Sequence, residues 1–385
     1  MKKKLKDICT QVRGVSYKPS DLRDEKSGVP ILRANNIQDT GIVLDELVYV
    51  DSSKVHSEQY LLTDDIVICT SSGSKNLIGK AATFKSSLNA SFGAFCKVVR
   101  INNSDDLFKA YIQQYFQSKI YRNAISESSA GANINNIKTE DIETLEISLP
   151  PKEDQQKIAA ELDTIQSAIN NKKQQLSLLD EAVKSEFVEM FGDPVLNEKG
   201  WDLEQLNNLG KWESGGTPSR TKSKYFTGTI PWYSAGELNS LYLQDSIEKI
   251  TEEAIKESSA KLFKKGSLFV GMYDTAAFKM GIATKDCSSN QACANILPNE
   301  KVNVLWLYYE LLEMKEYFLW NRHGVRQKNL NLGMIKSFEI PVSPLTLQND
   351  FATFVQQIDK SKFIVKQQIA DLQELLDSKM QEYFS

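Results

Sequence analysis

Two stretches of this chain carry apolar residues at a spacing of three and four that their surroundings do not share. In the first, the series runs Ile158, Leu162, Ile165, Ile169, Leu176, Leu179 and Val183, with Phe187 and Met190 beyond. In the second, it runs Phe351, Val355, Ile358, Val365, Ile369, Leu372 and Leu376, ending on Met380. Alternating steps of three and four place these side chains along one stripe of an α-helix, the seam through which helices pair. Lys172 and Lys362 interrupt the seam once in each stretch; such a lysine either restricts register or reaches past the seam to water. Neither stretch holds Gly or Pro before Gly192, and Pro151 and Pro344 stand just ahead, where a helix start tolerates them. About forty residues of helix would span ~60 Å at 1.5 Å per residue. One such seam can simply lie on its own module. Two matched seams predict that the helices pair with each other, antiparallel if the halves are related by a pseudo-twofold axis.

Outside the seams the pattern changes to short β-rich runs bounded by Gly, Ser and Asn, at 65–69, 95–99 and 266–270. Helical spacing returns at 107–118 and 304–318. The order is the same in both halves, and direct comparison finds a repeat. Glu146, Pro151, Gln155 and Ile158 are matched 193 residues later by Glu339, Pro344, Gln348 and Phe351, as are Gly131, Asn136 and Ile142 by Gly324, Asn329 and Ile335. Toward the start the offset grows to 201, where Val29-Pro30-Ile31 matches Ile230-Pro231-Trp232. At that same offset Ile66-Val67-Ile68 lines up with Ser267-Leu268-Phe269, and Gly79 to Ala82 resembles Met280 to Ala283. A drifting offset means a tandem duplication with a kept frame and loops of altered length.

Composition narrows the function without choosing it. At 385 residues the chain exceeds one ordinary domain. A net charge of -4 argues against an indiscriminate polyanion binder, though phosphate attraction depends on local charge placement. No apolar run reaches the length of a membrane span, and no apolar stretch follows Met1 to Lys4 as in a signal peptide. Five scattered cysteines without a C-x-x-C fit a reducing cytoplasm. Two histidines are too few for His-rich metal or Ser-His-Asp chemistry, and no phosphate-binding Walker loop occurs. Asp193-Pro194-Val195-Leu196 lacks the second proline and the aromatic of an amino-methyltransferase motif, so it reads as a helix-ending linker. The chain is expected to be non-catalytic and to hold no metal or cofactor.

The polar loops, which differ between the copies, are where binding chemistry is expected. Ser71, Ser72, Ser74, Lys75 and Asn76 face Met272, Tyr273, Thr275 and nearby Lys279 in the second copy. Asn133, Asn135 and Lys138 face His323, Arg326, Gln327 and Lys328, with Arg322 just before. Arg33, Asn35 and Asn36 face residues 234–237, and Thr217, Ser219, Arg220, Lys222, Lys224 and Tyr225 form the most basic loop of the second copy. Arg and Lys can fork onto guanine, Asn and Gln onto adenine, and Ser, Thr and Lys can hold phosphates. Asn, Ser and Gly also fill turns in any protein. Asn136 and Asn329 agree between copies and so suit a shared turn; Asn133 against Arg326 is a better place for discrimination.

Four features in this order resemble the specificity subunit of type I restriction-modification enzymes, over essentially the whole chain. They are the duplicated frame, the Glu146-to-Gln155 entry to a heptad helix, a strand at 289–293, and the turn from Gly324 through Gln327-Lys328-Asn329-Leu330. The resemblance implies an α+β fold with two tandem mixed α/β target recognition domains, each followed by a long helix, the helices pairing as an antiparallel coiled coil. Its expected borders are 1–151, 152–192 (central helix), 193–344 and 345–385 (last helix). It further implies double-stranded DNA as ligand, with each domain reading half of an asymmetric bipartite target. Two methyltransferase subunits and restriction-translocation subunits would be the partners, and S-adenosylmethionine, ATP and Mg would sit on them. Two other readings stand beside it: the recognition part of a type II-like restriction-methylation system, and a coiled-coil scaffold that reads no DNA.

Overall fold

The computed structural model describes all residues except 39–40, 75–76, 104, 130–135 and 321–328. The chain divides into two compact units, Met1–Gln175 with Val365–Ser385, and Leu176–Ile364. The long helices are Lys152–Phe191 and Leu345–Phe384, each unbroken for 40 residues. The unit borders therefore fall inside the helices, each helix giving part of its length to each unit.

In the first unit a four-stranded antiparallel sheet has the order Cys9–Arg13, Cys96–Ile101, Ile66–Cys69, Ala81–Thr83. The strand Ile66–Cys69 has no polar position because both faces are covered. Ile66 and Ile68 pack with Tyr111, Tyr115 and Phe116 of the adjoining helical pair, whereas Val67 and Cys69 face a core with Leu32, Phe84 and Phe92. A second sheet orders Ser91–Phe92, Val29–Leu32, Val48–Val50 and Leu22–Arg23, and Lys2–Lys4 pairs with Glu146–Ser148.

The second unit repeats this plan. Its sheet is Gly210–Ser214, Cys293–Pro298, Leu268–Gly271, Met280–Ile282, beside a smaller sheet of Glu248–Ile250, Ile230–Tyr233 and Ser288–Ser289. Asp202–Gln205 pairs with Glu339–Val342, as Lys2–Lys4 does with its partner. Even single bonds recur: Val15 N donates to Phe92 O at 2.7 Å and Gly216 N to Ser289 O at 2.8 Å. Ile137 N to Thr70 O and Leu330 N to Met272 O are both 2.8 Å. The latter pair follows Asn136 and Asn329, the positions read as a shared turn.

Register corrects two of the sequence matches. Ile66 and Leu268 hold equivalent ladder positions, opposite Val99 and Ile296, so the local offset is 202 (66 to 268) rather than 201. Ala81 and Met280 are likewise equivalent, opposite Ile68 and Val270, an offset of 199. Loop length sets these values, and a one-residue slip would turn every side chain of a strand to the other face. The segment 289–293 is also not a strand: Ser289 ends one strand, Cys293 begins another, and Asn290 closes the turn by accepting from Ala292 N.

The seam residues pack antiparallel within each unit. In the first, Ile158, Leu162, Ile165 and Ile169 share a core with Ile369, Leu372, Leu376, Met380 and Phe384. In the second, Val183, Phe187 and Phe191 meet Phe351, Val355 and Ile358, with Phe351 set edge-on to both phenylalanines. Val365 is buried, whereas Leu176 and Leu179 are half-buried. The two lysines behave differently. Lys362 reaches Asp180 on the other helix at 2.6 Å, whereas Lys172 bonds along its own helix to Gln175.

Candidate nucleic-acid interface

In the first unit, two adjoining clefts open beside the end of the strand Cys9–Arg13. One, of about 460 Å³, is lined by residues including Arg13, Ser16, Thr70, Lys97, Asn136 and Lys138. The other, of about 560 Å³, is lined by residues including Ser16, Tyr17, Arg33, Asn35 and Phe95. Three local devices bring them together. Gly14 lets the chain pass so close to Gly93 that a Cβ would stand 2.1 Å from its carbonyl oxygen. Thr70 Oγ1 donates to Phe95 O, and Ser71 forms a bridge with Asn136. Phe95, 69% exposed, stands on a turn and lines the second cleft.

Of the loop candidates, Arg33, Asn35 and Lys138 line these clefts. Arg33 donates to Glu46 O, and its buried Nε has no partner among the described residues. Ser71, Ser72 and Ser74 lie on the neighbouring loop, where Ser72 Oγ accepts from Ser74 N. Asn36 is corrected to a fold-holding residue. It is 1% exposed; its oxygen accepts from Arg33 N and its amide donates to Val43 O and Asp45 O. Glu237 makes the matching bond to Ser234 N in the second unit. Lys75, Asn76, Asn133, Asn135, Arg322, His323, Arg326, Gln327 and Lys328 lie outside the described residues.

Sequence reading missed Arg13 and Lys97 because it searched loops, and both stand in strands. They are direct partners in the antiparallel ladder. Lys97 is half-buried, its amine donating to Thr139 Oγ1 at 3.0 Å and to Ile137 O. Burial first, and then the Arg13 charge, hold it below the ordinary lysine range.

The basic loop of the second unit is largely neutralised from within. Arg220 forks onto Glu248 and stacks over Phe226 and Trp232. Lys224 pairs with Glu253 and Lys222 with Glu257. Tyr225, 1% exposed, donates to Glu257 and accepts from Lys222, which makes it a packing residue rather than an open contact. The acidic partners lie 28 to 35 positions further along, beyond any local motif. Thr217 bonds to Gln291 and Ser219 to Thr221. Tyr273 and Thr275 are exposed and Lys279 is half-buried on the turn after Leu268–Gly271.

All five cysteines are free and buried, and burial pushes the thiols of Cys9, Cys96, Cys287 and Cys293 up to about 12, which leaves them inert near neutrality. Among the described residues no cluster of three or more His, Cys, Asp or Glu is placed to hold a metal ion. No helix among them is long and apolar enough to cross a membrane.

Comparison with known proteins gives a consistent set of relatives. The family profile "Type I restriction modification DNA specificity domain" matches residues 1–179 and 198–374. The type I restriction enzyme EcoKI specificity subunit of Escherichia coli K12 is 36% identical over 211 residues, 53% of this chain and 45% of that protein. The StySPI specificity subunit of Salmonella potsdam is 38% identical over 181 residues, 46% of this chain and 38% of its own length. The chain thus spans less than half of either. The putative MjaX specificity subunit of Methanocaldococcus jannaschii aligns more fully, 24% identical over 93% of this chain and 86% of that one. Among solved structures, the type I restriction-modification S subunit from M. genitalium covers 100% of this chain and 96% of its own at a TM-score of 0.57 and 14% identity. That similarity concerns the fold.

Proposed function

The chain belongs to the family of type I restriction modification DNA specificity domains, and we propose that it is the non-catalytic DNA-reading subunit of a type I restriction-modification complex. In this reading the two units each read half of an asymmetric bipartite target, and the paired helices set the gap between the halves. Methyltransferase subunits dock on this chain and bring S-adenosylmethionine and adenine chemistry; restriction-translocation subunits bring ATP- and Mg-dependent cleavage. The complex works in the cytoplasm. The recognition modules correspond to 1–151 and 193–344, with 152–192 and 345–385 as spacer helices.

One observation carries the proposal. Two units of the same strand order hold different chemistry at matched positions of the same surface. Arg13 and Lys97 are replaced by Ser214 and Ala294 at the same ladder positions. Phe95, just before Cys96, is replaced by Ala292 just before Cys293; Arg33 and Asn35 are replaced by Ser234 and Gly236. A kept scaffold with unlike contact residues is what reading two unlike half-sites requires.

The test is binding of DNA by the chain assembled with its methyltransferase subunits. Affinity should fall steeply with salt and depend on sequence. An assembled complex that treats all sequences alike would contradict the reading.

A further inference from the structure

We propose that Arg13 and Lys97, with Lys138 at the rim, form a seat for one phosphate group in the first unit, and that the second unit has no equivalent seat. The inference rests on the DNA-reading function above and names where the first module grips the backbone.

The ladder itself gives the two cations no reason to stand opposite each other. Residues directly opposite in an antiparallel ladder put their side chains on one face about 5 Å apart, and like charges there are destabilising. Among the described residues neither Arg13 nor Lys97 is in an ion pair, so no carboxylate relieves the repulsion at contact distance. The second unit builds the same strand pair with Ser214 opposite Ala294, which shows that this ladder forms without the charges. A pairing of cations that the ladder does not require, and that electrostatics opposes, points to an anion supplied from outside.

Geometry fits that anion. Lys97 spends two of its three N–H groups on Thr139 Oγ1 and Ile137 O, which aim the amine and leave a third donor. Arg13 adds a guanidinium, the group suited to forked recognition of phosphate oxygens. Ser16, Thr70 and Asn136 bring neutral polar groups to the same cleft. Among the described residues Glu140 is the one carboxylate of that lining, and Asp141 and Glu143 act on Lys97 only through space. The lowered proton affinity of Lys97 is consistent with a half-buried amine beside a second cation, a state that a phosphate would reverse.

The experiment measures binding of the recognised DNA by the full chain with its methyltransferase subunits, across about 50 to 200 mM salt. Arg13→Gln and Lys97→Met should each make the salt slope shallower by about one and weaken matched and mismatched DNA alike. Arg13→Gln should leave thermal stability unchanged or raised, because the repulsion is gone. Lys97→Met also gives up the bonds to Thr139 Oγ1 and Ile137 O and should lose some stability, so Arg13→Gln is the variant that separates grip from folding. Ser214→Ala, at the matched position, should leave the slope as it is. In a parallel arm, inorganic phosphate replaces part of the chloride at constant ionic strength. Phosphate that stabilises the native chain but not Lys97→Met, while the DNA slopes coincide, would make the seat one for free phosphate and overturn the DNA assignment. Unchanged slopes without a phosphate effect overturn the seat itself, as does weaker binding by Arg13→Gln that tracks a loss of its stability. If native protein binds DNA with salt dependence, only the seat fails; if it does not bind DNA, the functional reading fails too.

Discussion

Gln155 and Gln348, 193 residues apart, make the same backward hydrogen bond. Gln155 Nε2 donates to Pro150 O at 2.8 Å, and Gln348 Nε2 to Ser343 O at 2.7 Å. Each glutamine stands in the first turn of a long helix and ties it to the strand end that feeds it. This satisfies a carbonyl, half-buried at Pro150 and buried at Ser343, that otherwise would have to reach water.

Gln348 also accepts from Asn303 N at 2.8 Å and so joins its helix to the helix Val304–Glu313. Replacing Gln348 by Ala should therefore cost about 2–3 kcal/mol, because it strands buried donors and acceptors. The change at Gln155, nearer the surface, should cost about 1 kcal/mol. Urea unfolding midpoints of the two variants would rank them.

Gly14 and Gly215 are matched close-approach positions. A Cβ at Gly14 would lie 2.1 Å from Gly93 O, and one at Gly215 2.3 Å from Asn290 O. Both obstacles are backbone and cannot rotate away. Gly14→Ala and Gly215→Ala should each destabilise their unit by about 1–3 kcal/mol through overpacking, visible as a lowered thermal midpoint. Gly41→Ala has open space around it, and any cost there would come from its positive φ of 121° alone.

Glu310, 1% exposed, lies on the buried side of its helix, and its Oε1 has no hydrogen-bond partner among the described residues. Burial, and secondly the Glu313 carboxylate, hold its carboxyl well above the ordinary 4.5. The folded chain thus keeps a proton that the unfolded chain releases near 4.5. Stability from this group is fully present below that pH and drains away as pH rises through the folded value. Glu310→Gln should stabilise the protein at about pH 8 by about 1 kcal/mol or more, and should change little near pH 4. Urea midpoints across pH, equal in slope for the two proteins, would contradict this.

The helices offer a length test. Removing the heptad between Ile169 and Leu176, with its match between Lys362 and Ile369, keeps the seam in phase while shortening both helices by about 10 Å. If the helices set the gap, the recognised half-sites persist and the gap between them shrinks. Mapping of modified adenines in cells carrying the shortened chain would show this; an unchanged gap would remove the helices from that role.

The most legible parts were those with a strong physical period or an obligatory bond. The seams followed from helical spacing, and the 193-residue frame from Pro and Gln positions that cap a helix start. Strand register was less legible, because the loops 70–80 and 272–279 differ in length and shift the match by residues that no periodicity reports. Of the loop candidates, Arg33, Asn35 and Lys138 line the clefts. Arg13 and Lys97 escaped because a lone cation in a strand carries no motif, and their meaning appears only when the ladder sets them opposite each other. The basic loop misled in the other direction. Arg220, Lys222 and Lys224 look free in sequence, but folding brings Glu248, Glu257 and Glu253 to them.

The central claim is one chain reading two unlike half-sites. The measurement that reaches it most directly is base-resolution mapping of methylated adenines in DNA from cells expressing this chain with its methyltransferase subunits. The predicted result is a single asymmetric motif of two short, different half-sites separated by a fixed unread gap. Methylation confined to one continuous palindrome, or spread without sequence preference, would contradict it.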